Sequence, residues 1–223
     1  MSARPARRLR VALPLLAVIA ATTAIPRAEA ADLTETALWP NTPAARQQAE
    51  TLLQRLNADL LSHPSATLTL DRWCRIHGLA SPARVAAEPV HDAYLPPTAA
   101  QRQLLAVAPD TPVIHRRVRL RCGGYVLSEA DNWYVPSRLT PAMNHQLETS
   151  DIAFGRAVQD LHFRRHTLAV RLLWHPGTSD GGGEMHIPAR VLQHQAVLVL
   201  PDGTPFSEVI ETYTGAVLAF PPH

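Results

Sequence analysis

Between Ala44 and Leu61 the apolar positions Leu53, Leu56 and Leu60 recur at helical spacing within a polar background, which predicts an amphipathic helix. A second, short helix is predicted from Thr69, with Thr69 and Asp71 able to cap it, through Trp73 to His77, where Gly78 ends it. The period then falls to two. Arg84 to His91 reads as a strand, and a Pro-rich connection leads to a short helix over Ala99 to Val107. Pro112 to Cys122 and Tyr125 to Val135 are β-rich runs separated by Gly123-Gly124, a hairpin signal, and Pro136 stops the second. Pro141 to Leu147 and Ile152 to Leu161 read as helices and Thr167 to Trp174 as a strand. Val191 to Leu200 and Pro205 to Thr214 make a second hairpin through Pro201-Asp202-Gly203. Strands grouped in hairpins with helices between them predict an α+β domain, a mostly antiparallel sheet of about six strands with helices packed on one face.

The pattern upstream of Ala44 is different. ARRLR, the apolar VALPLLAVIAATTAI and the A-x-A site Ala28-Glu29-Ala30 have the form of a secretory signal over residues 1–30. The apolar run is shorter than a membrane-spanning helix requires and holds Pro14, so a cleaved signal and no permanent anchor are expected, with the product exported to the periplasm or secreted. Residues 31–43 read as a leader or tether, and residues 44–223 as a single domain large enough for a real core. Cleavage also reverses the sign of the charge. The signal carries five of the 21 basic residues and one of the 19 acidic ones, leaving 16 against 18, a net −2 in place of +2. Such a surface gives no electrostatic case for nucleic acid or anionic lipid.

Composition excludes further classes. Every one of the 21 basic residues is Arg, so Schiff-base lysine chemistry and a Walker-type phosphate loop are ruled out. Cys74 and Cys122 are too few for a zinc-cysteine site; in an oxidising compartment they can pair only with each other, and otherwise they read as small buried hydrophobes. The glycines of SDGGGE, Ser179 to Glu184, lack the strand and helix that a phosphate cradle needs. His162 and His166 stand four apart but at a helix-to-strand transition, there is no HExxH, and no metal is expected. Ser128 and Ser207 lack a nucleophile elbow.

Two groups of charged residues invite chemistry. Arg117, Arg119 and Arg121 alternate with Val118, Leu120 and Cys122, so one face of that strand carries three guanidiniums; simple exposure explains Arg119 and Arg121 equally well. Glu208 and Glu211 are three apart in the last strand and therefore face opposite ways. Alternation counted from Pro205 favours Glu208 for the pocket.

RVRLRC (Arg117 to Cys122), VLSEADNWYVP (Val126 to Pro136), AFGR (Ala153 to Arg156) and DGTPFSEVIETY (Asp202 to Tyr213), with TLTLDRWC upstream at Thr67 to Cys74, together resemble the chorismate lyase family. More distantly they resemble the UTRA-type effector-binding domains of GntR-family regulators, which share that fold. The resemblance implies a cofactor-free elimination of pyruvate from chorismate that leaves 4-hydroxybenzoate. Arg117, five residues before Cys122, would hold the ring carboxylate, since a guanidinium fork grips a carboxylate bidentately. Glu211, two before Tyr213, or else Glu208, would bind the oxygen end of the ring. Phe154 and the Gly155 amide would hold the ring and Leu68 would cover it, although Gly155 also suits plain close packing and Leu68 an ordinary core. Asn132 and Trp133 stand where the lyase pattern has an arginine and a small residue. The implied partner is a small aromatic or cyclohexadiene carboxylate. Because chorismate is made in the cytoplasm, a non-catalytic periplasmic binding module for such a carboxylate is the alternative; an interaction scaffold would leave the Arg and Glu motifs unexplained.

Overall fold

A computed structural model describes residues 39–91, 94–177 and 182–221, all within the unit Asp32–His223. The predicted signal, the leader up to residue 38 and the first half of SDGGGE, Ser179 to Gly181, lie outside the described residues. Thr42 caps the first helix, α1 (Pro43–Ser62), its side chain accepting from the Ala45 N–H, and Leu53, Leu56 and Leu60 are fully buried as their spacing predicts. The second helix, α2 (Ala66–Ile76), starts three residues earlier than predicted because Ser65 provides the cap, accepting from Leu68 N–H. Asp71 is thereby released for other work. Its Oδ1 accepts from Val85 N–H at 2.6 Å and its Oδ2 from Arg156 Nη2 at 2.7 Å, joining three segments.

The strands are β1 (Val85–Pro89), β2 (Ile114–Cys122), β3 (Tyr125–Tyr134), β4 (Arg164–Leu172), β5 (Arg190–Val199) and β6 (Pro205–Thr214). They form one six-stranded antiparallel sheet in the order β1-β2-β3-β6-β5-β4. Gly123, at φ +57°, turns the β2–β3 hairpin in a conformation that glycine adopts without penalty. Between the strands lie α3 (Ala99–Leu104), α4 (Pro141–Thr149) and α5 (Phe154–Ala157), the last followed by a 3-10 turn at Gln159–Leu161 where a single helix was predicted. β4 starts at Arg164, three residues before the predicted position.

The helical face of the sheet is covered by two apolar clusters. One gathers Trp39, the α1 leucines, Leu70, Trp73, Leu192 and Tyr213; the other gathers Tyr134, Met143, Phe154, Phe163 and Phe206. Trp39 falls within the predicted tether, yet it is buried and its Nε1 donates to Leu218 O at 2.9 Å, so the packed structure begins upstream of Ala44. A single tryptophan has no periodicity to announce its burial. On the reverse face a smaller cluster of Leu105, Val113, Trp133 and Val135 packs beneath the α3 segment. Cys74 on α2 and Cys122 at the end of β2 form a disulfide with Cα atoms 6.5 Å apart.

Candidate functional site

Alternation in β2, β3 and β6 decides which side chains meet. Opposed residues across an antiparallel pair share a face, so Arg116, Asn132 and Val209 form one row across the sheet, and Val118, Ala130 and Glu211 form the next. Both rows face the helices and lie where the two apolar clusters meet. There they line a cavity of about 40 Å³ together with Phe154, Gly155, Phe163, Arg165, Leu198 and the start of α2 at Ser65, Ala66 and Thr67. Such a volume holds a few waters.

Its polar groups are mostly donors. Arg165, on β4, has a side chain only 4% exposed and donates from Nη2 to Glu211 Oε2 at 2.6 Å, while its Nε has no partner. Burial would lower the Arg165 pKa, but the attraction of Glu211 and Tyr213 prevails and leaves it raised. Tyr213 OH donates to the same carboxylate oxygen at 3.2 Å, and burial, reinforced by Glu211, lifts its pKa well above the usual tyrosine value. Asn132 is 4% exposed; its Oδ1 accepts from Ser207 Oγ at 2.5 Å and its Nδ2 has no partner. Arg116 donates to Ile152 O at 3.1 Å, and burial draws its pKa below the ordinary arginine value. An arginine still keeps its charge. The positive end of α2 lies at the same cavity, which adds to its preference for an anion.

No family model matches the chain. Over 215 residues it is 48% identical to the Uncharacterized protein y4mC of Sinorhizobium fredii (strain NBRC 101917 / NGR234), spanning 92% of this chain and 91% of that one. This chain belongs to the y4mC family. Among solved structures it is similar to PhnF of Mycobacterium smegmatis (TM-score 0.49, 14% identity, 84% of this chain and 92% of that one). It is also similar to the effector domain of the same protein (TM-score 0.46, 15% identity, 68% and 89%). The possible transcriptional regulator YydK of Bacillus subtilis subsp. subtilis str. 168 matches at TM-score 0.39 and 15% identity over 58% of this chain, which spans 57% of YydK.

Within this y4mC-family cavity the residues expected from sequence divide unevenly. Glu211, Asn132, Phe154 and Gly155 line it. Arg117 does not: it stands on the reverse face opposite Asp131, with its side chain 33% exposed and its Nε 3.9 Å from Asp131 Oδ1. Five residues, an odd number, separate Arg117 from Cys122 along a strand whose own register is unbroken, so the two face opposite ways and the guanidinium that reaches the cavity is the neighbouring Arg116; the bulge opposite Leu120 and Arg121 belongs to β3, at Leu127. Glu208 likewise faces away, opposite Trp133 and Val197; it is 1% exposed and accepts from Gln195 Nε2 at 2.7 Å. Leu68 is half-buried on α2 and is not part of the lining, which takes Ala66 and Thr67 instead. Gly155 shows why its residue type matters: a Cβ there would lie 2.6 Å from Ser65 Oγ and 3.1 Å from Thr67 Oγ1.

Two residues escaped the sequence reading. Arg116 shares the parity of Val118 and Leu120, and a charge on an otherwise apolar face was the available signal. Arg165 lies in FRRH, ahead of the predicted strand start, and carried no signal of its own. Among the described residues no group of three or more His, Cys, Asp or Glu side chains could hold a metal ion.

Proposed function

We propose that this protein binds a small organic carboxylate, aromatic or cyclohexadiene in character, between Phe154, Phe163 and the Arg116–Asn132 row. The observation that carries this reading is that Arg116, Asn132 and Arg165 line one cavity, with Asn132 Nδ2 and Arg165 Nε buried without an acceptor. A buried donor left unpaired costs about 1–3 kcal/mol, and an anionic ligand recovers that loss. Pockets for ring-sized ligands enclose roughly 300 Å³ or more, so entry requires Ser65–Thr67 and Phe154–Gly155 to separate from the sheet. Titration calorimetry with 4-hydroxybenzoate tests the reading: saturable binding that Arg116→Ala weakens supports it, and no binding by the parent refutes it.

Elimination of pyruvate from chorismate is the second reading, favoured by Glu211 facing the same cavity as Arg116. Its carboxylate is tied to Arg165 at 2.6 Å and to Tyr213 OH, so it serves as an oriented acceptor for a ring hydroxyl more readily than as a proton donor. Formation of 4-hydroxybenzoate and pyruvate from chorismate by the mature chain separates a lyase from a binding module. We also propose export, supported by the Met1–Ala30 pattern and by a disulfide of the kind oxidising compartments maintain. N-terminal sequencing of the secreted product tests it, with Ala31 as the expected first residue.

A further inference from the structure

The ionisable groups lining the cavity are Arg116, Arg165 and Glu211. They divide into one neutralised pair and one remainder. Glu211 compensates Arg165 at 2.6 Å, whereas the bond made by Arg116 is to a neutral carbonyl, that of Ile152. A largely buried site with one uncompensated cation is completed by one negative charge. A second anionic group on the same ligand would be desolvated beside Glu211 with no cation left to receive it.

Asn132 stands directly opposite Arg116 in the β2–β3 ladder, on the same face. Ser207 Oγ occupies its carbonyl oxygen and thereby fixes the amide plane, leaving Nδ2 without a partner in the cavity lining. Arg116 and Asn132 therefore form an asymmetric clamp, a charged donor beside a neutral one, that can take the two oxygens of one carboxylate without adding a second positive charge.

We propose that Asn132 is a specificity-determining residue of this site and that the ligand is a monocarboxylate, discriminated against dicarboxylates by the neutrality of the Asn132 arm. The inference rests on the carboxylate-binding reading of the cavity, goes beyond it in naming the charge class, and stands against the second reading, because chorismate carries two carboxylates. It predicts that a single carboxylate with an uncharged far end binds, and that the same ring with carboxylates at both ends does not bind comparably.

Calorimetry on the full mature chain with 4-hydroxybenzoate and terephthalate at pH 7 measures this without any variant. Parent protein should bind the monocarboxylate at least roughly tenfold more tightly, the cost of one poorly compensated buried charge. Asn132→Leu, of similar volume but without a donor, should weaken 4-hydroxybenzoate roughly tenfold. Asn132→Arg should shift the ratio of affinities toward terephthalate. Terephthalate bound as tightly as 4-hydroxybenzoate by the parent overturns the charge assignment, and an Asn132→Leu protein of unchanged melting temperature and unchanged affinity overturns the role of Asn132. Binding of neither compound by the parent is a different failure, because it removes the carboxylate site itself and the inference with it.

Discussion

Parity separates Arg116 from Arg117, adjacent residues of the same type with different surroundings. Arg116→Ala removes a half-buried cation facing the cavity and should weaken 4-hydroxybenzoate binding by roughly 2–3 kcal/mol, thirtyfold or more. Arg117→Ala removes a partly exposed neighbour of Asp131 on the other side of the sheet and should change affinity by less than about 0.5 kcal/mol; calorimetry on the two variants compares them directly. A buried histidine supplies a second residue-level expectation. His194 packs edge-on to Tyr213 and its Nε2 lies 2.8 Å from Asn57 Oδ1. Burial depresses its pKa to about 4, with Arg165 reinforcing and Glu211 opposing the shift. Above pH 6.5 the ring is neutral in folded and unfolded chains alike and costs nothing. As the pH falls from 6.5 toward 4 the unfolded chain takes up a proton that the folded one refuses, so up to about 3 kcal/mol of stability is lost. Urea denaturation at pH 7.0 and 4.5 should show this drop, and His194→Gln should reduce it. At this scale the sequence disclosed residue types better than directions: Glu211, Asn132 and Phe154 do line the cavity, while Arg117 faces the other way because an odd spacing of five from Cys122 puts it on the opposite face of the regular strand β2.

Elements explain what fixes the cavity walls. The start of α2 and α5 meet at Gly155, where an alanine Cβ would lie 2.6 Å from Ser65 Oγ. Alanine gains up to about 1 kcal/mol in helix propensity, but Ser65 is held as the N-cap of α2 and cannot yield freely, so overpacking of about 1–3 kcal/mol prevails. Gly155→Ala should therefore lower the melting temperature and, by displacing Ser65 and Thr67, weaken ligand binding; thermal melts with and without 4-hydroxybenzoate read both effects. The hairpins were legible because Gly123-Gly124 and Pro201-Asp202-Gly203 are local turn chemistry. The pairing of β3 with β6 joins residues about eighty positions apart and leaves no local signature. The early start of β4 was illegible for a related reason: Arg164, Arg165 and His166 have no apolar alternation, and Arg165 earns its buried place only through Glu211, a partner 46 residues away.

For the whole molecule, the reverse face of the sheet carries, beside the buried Trp133 cluster, a group of ion pairs and hydrogen bonds that is exposed around Glu88 and buried at His115. Glu88 accepts from Arg119 and Arg121, Glu129 pairs with Arg119 and Arg190, and Asp131 pairs with Arg117 and His115. Solvent screens the Glu88 pairs and they contribute little, so Arg119→Ala and Arg121→Ala should leave both stability and ligand binding nearly unchanged, as urea denaturation and calorimetry on the two variants would show. The disulfide is different, since it closes a 48-residue separation and by loop entropy stabilises the fold by roughly 4 kcal/mol. Replacing Cys74 and Cys122 by alanine should lower the urea midpoint accordingly, and the same loss should follow reduction of the parent. That bridge also limits how the cavity can open. It pins α2 near its C-terminal end to the strand that carries Arg116, so the helix cannot lift away from the sheet as a body. On the carboxylate-binding proposal, a ring enters from the far end, by fraying of the turn that begins at Ser65 or by a swing of the Phe154–Ala157 segment about the Asp71–Arg156 contact: the proposed doorway is the free end of a helix bolted down at the other.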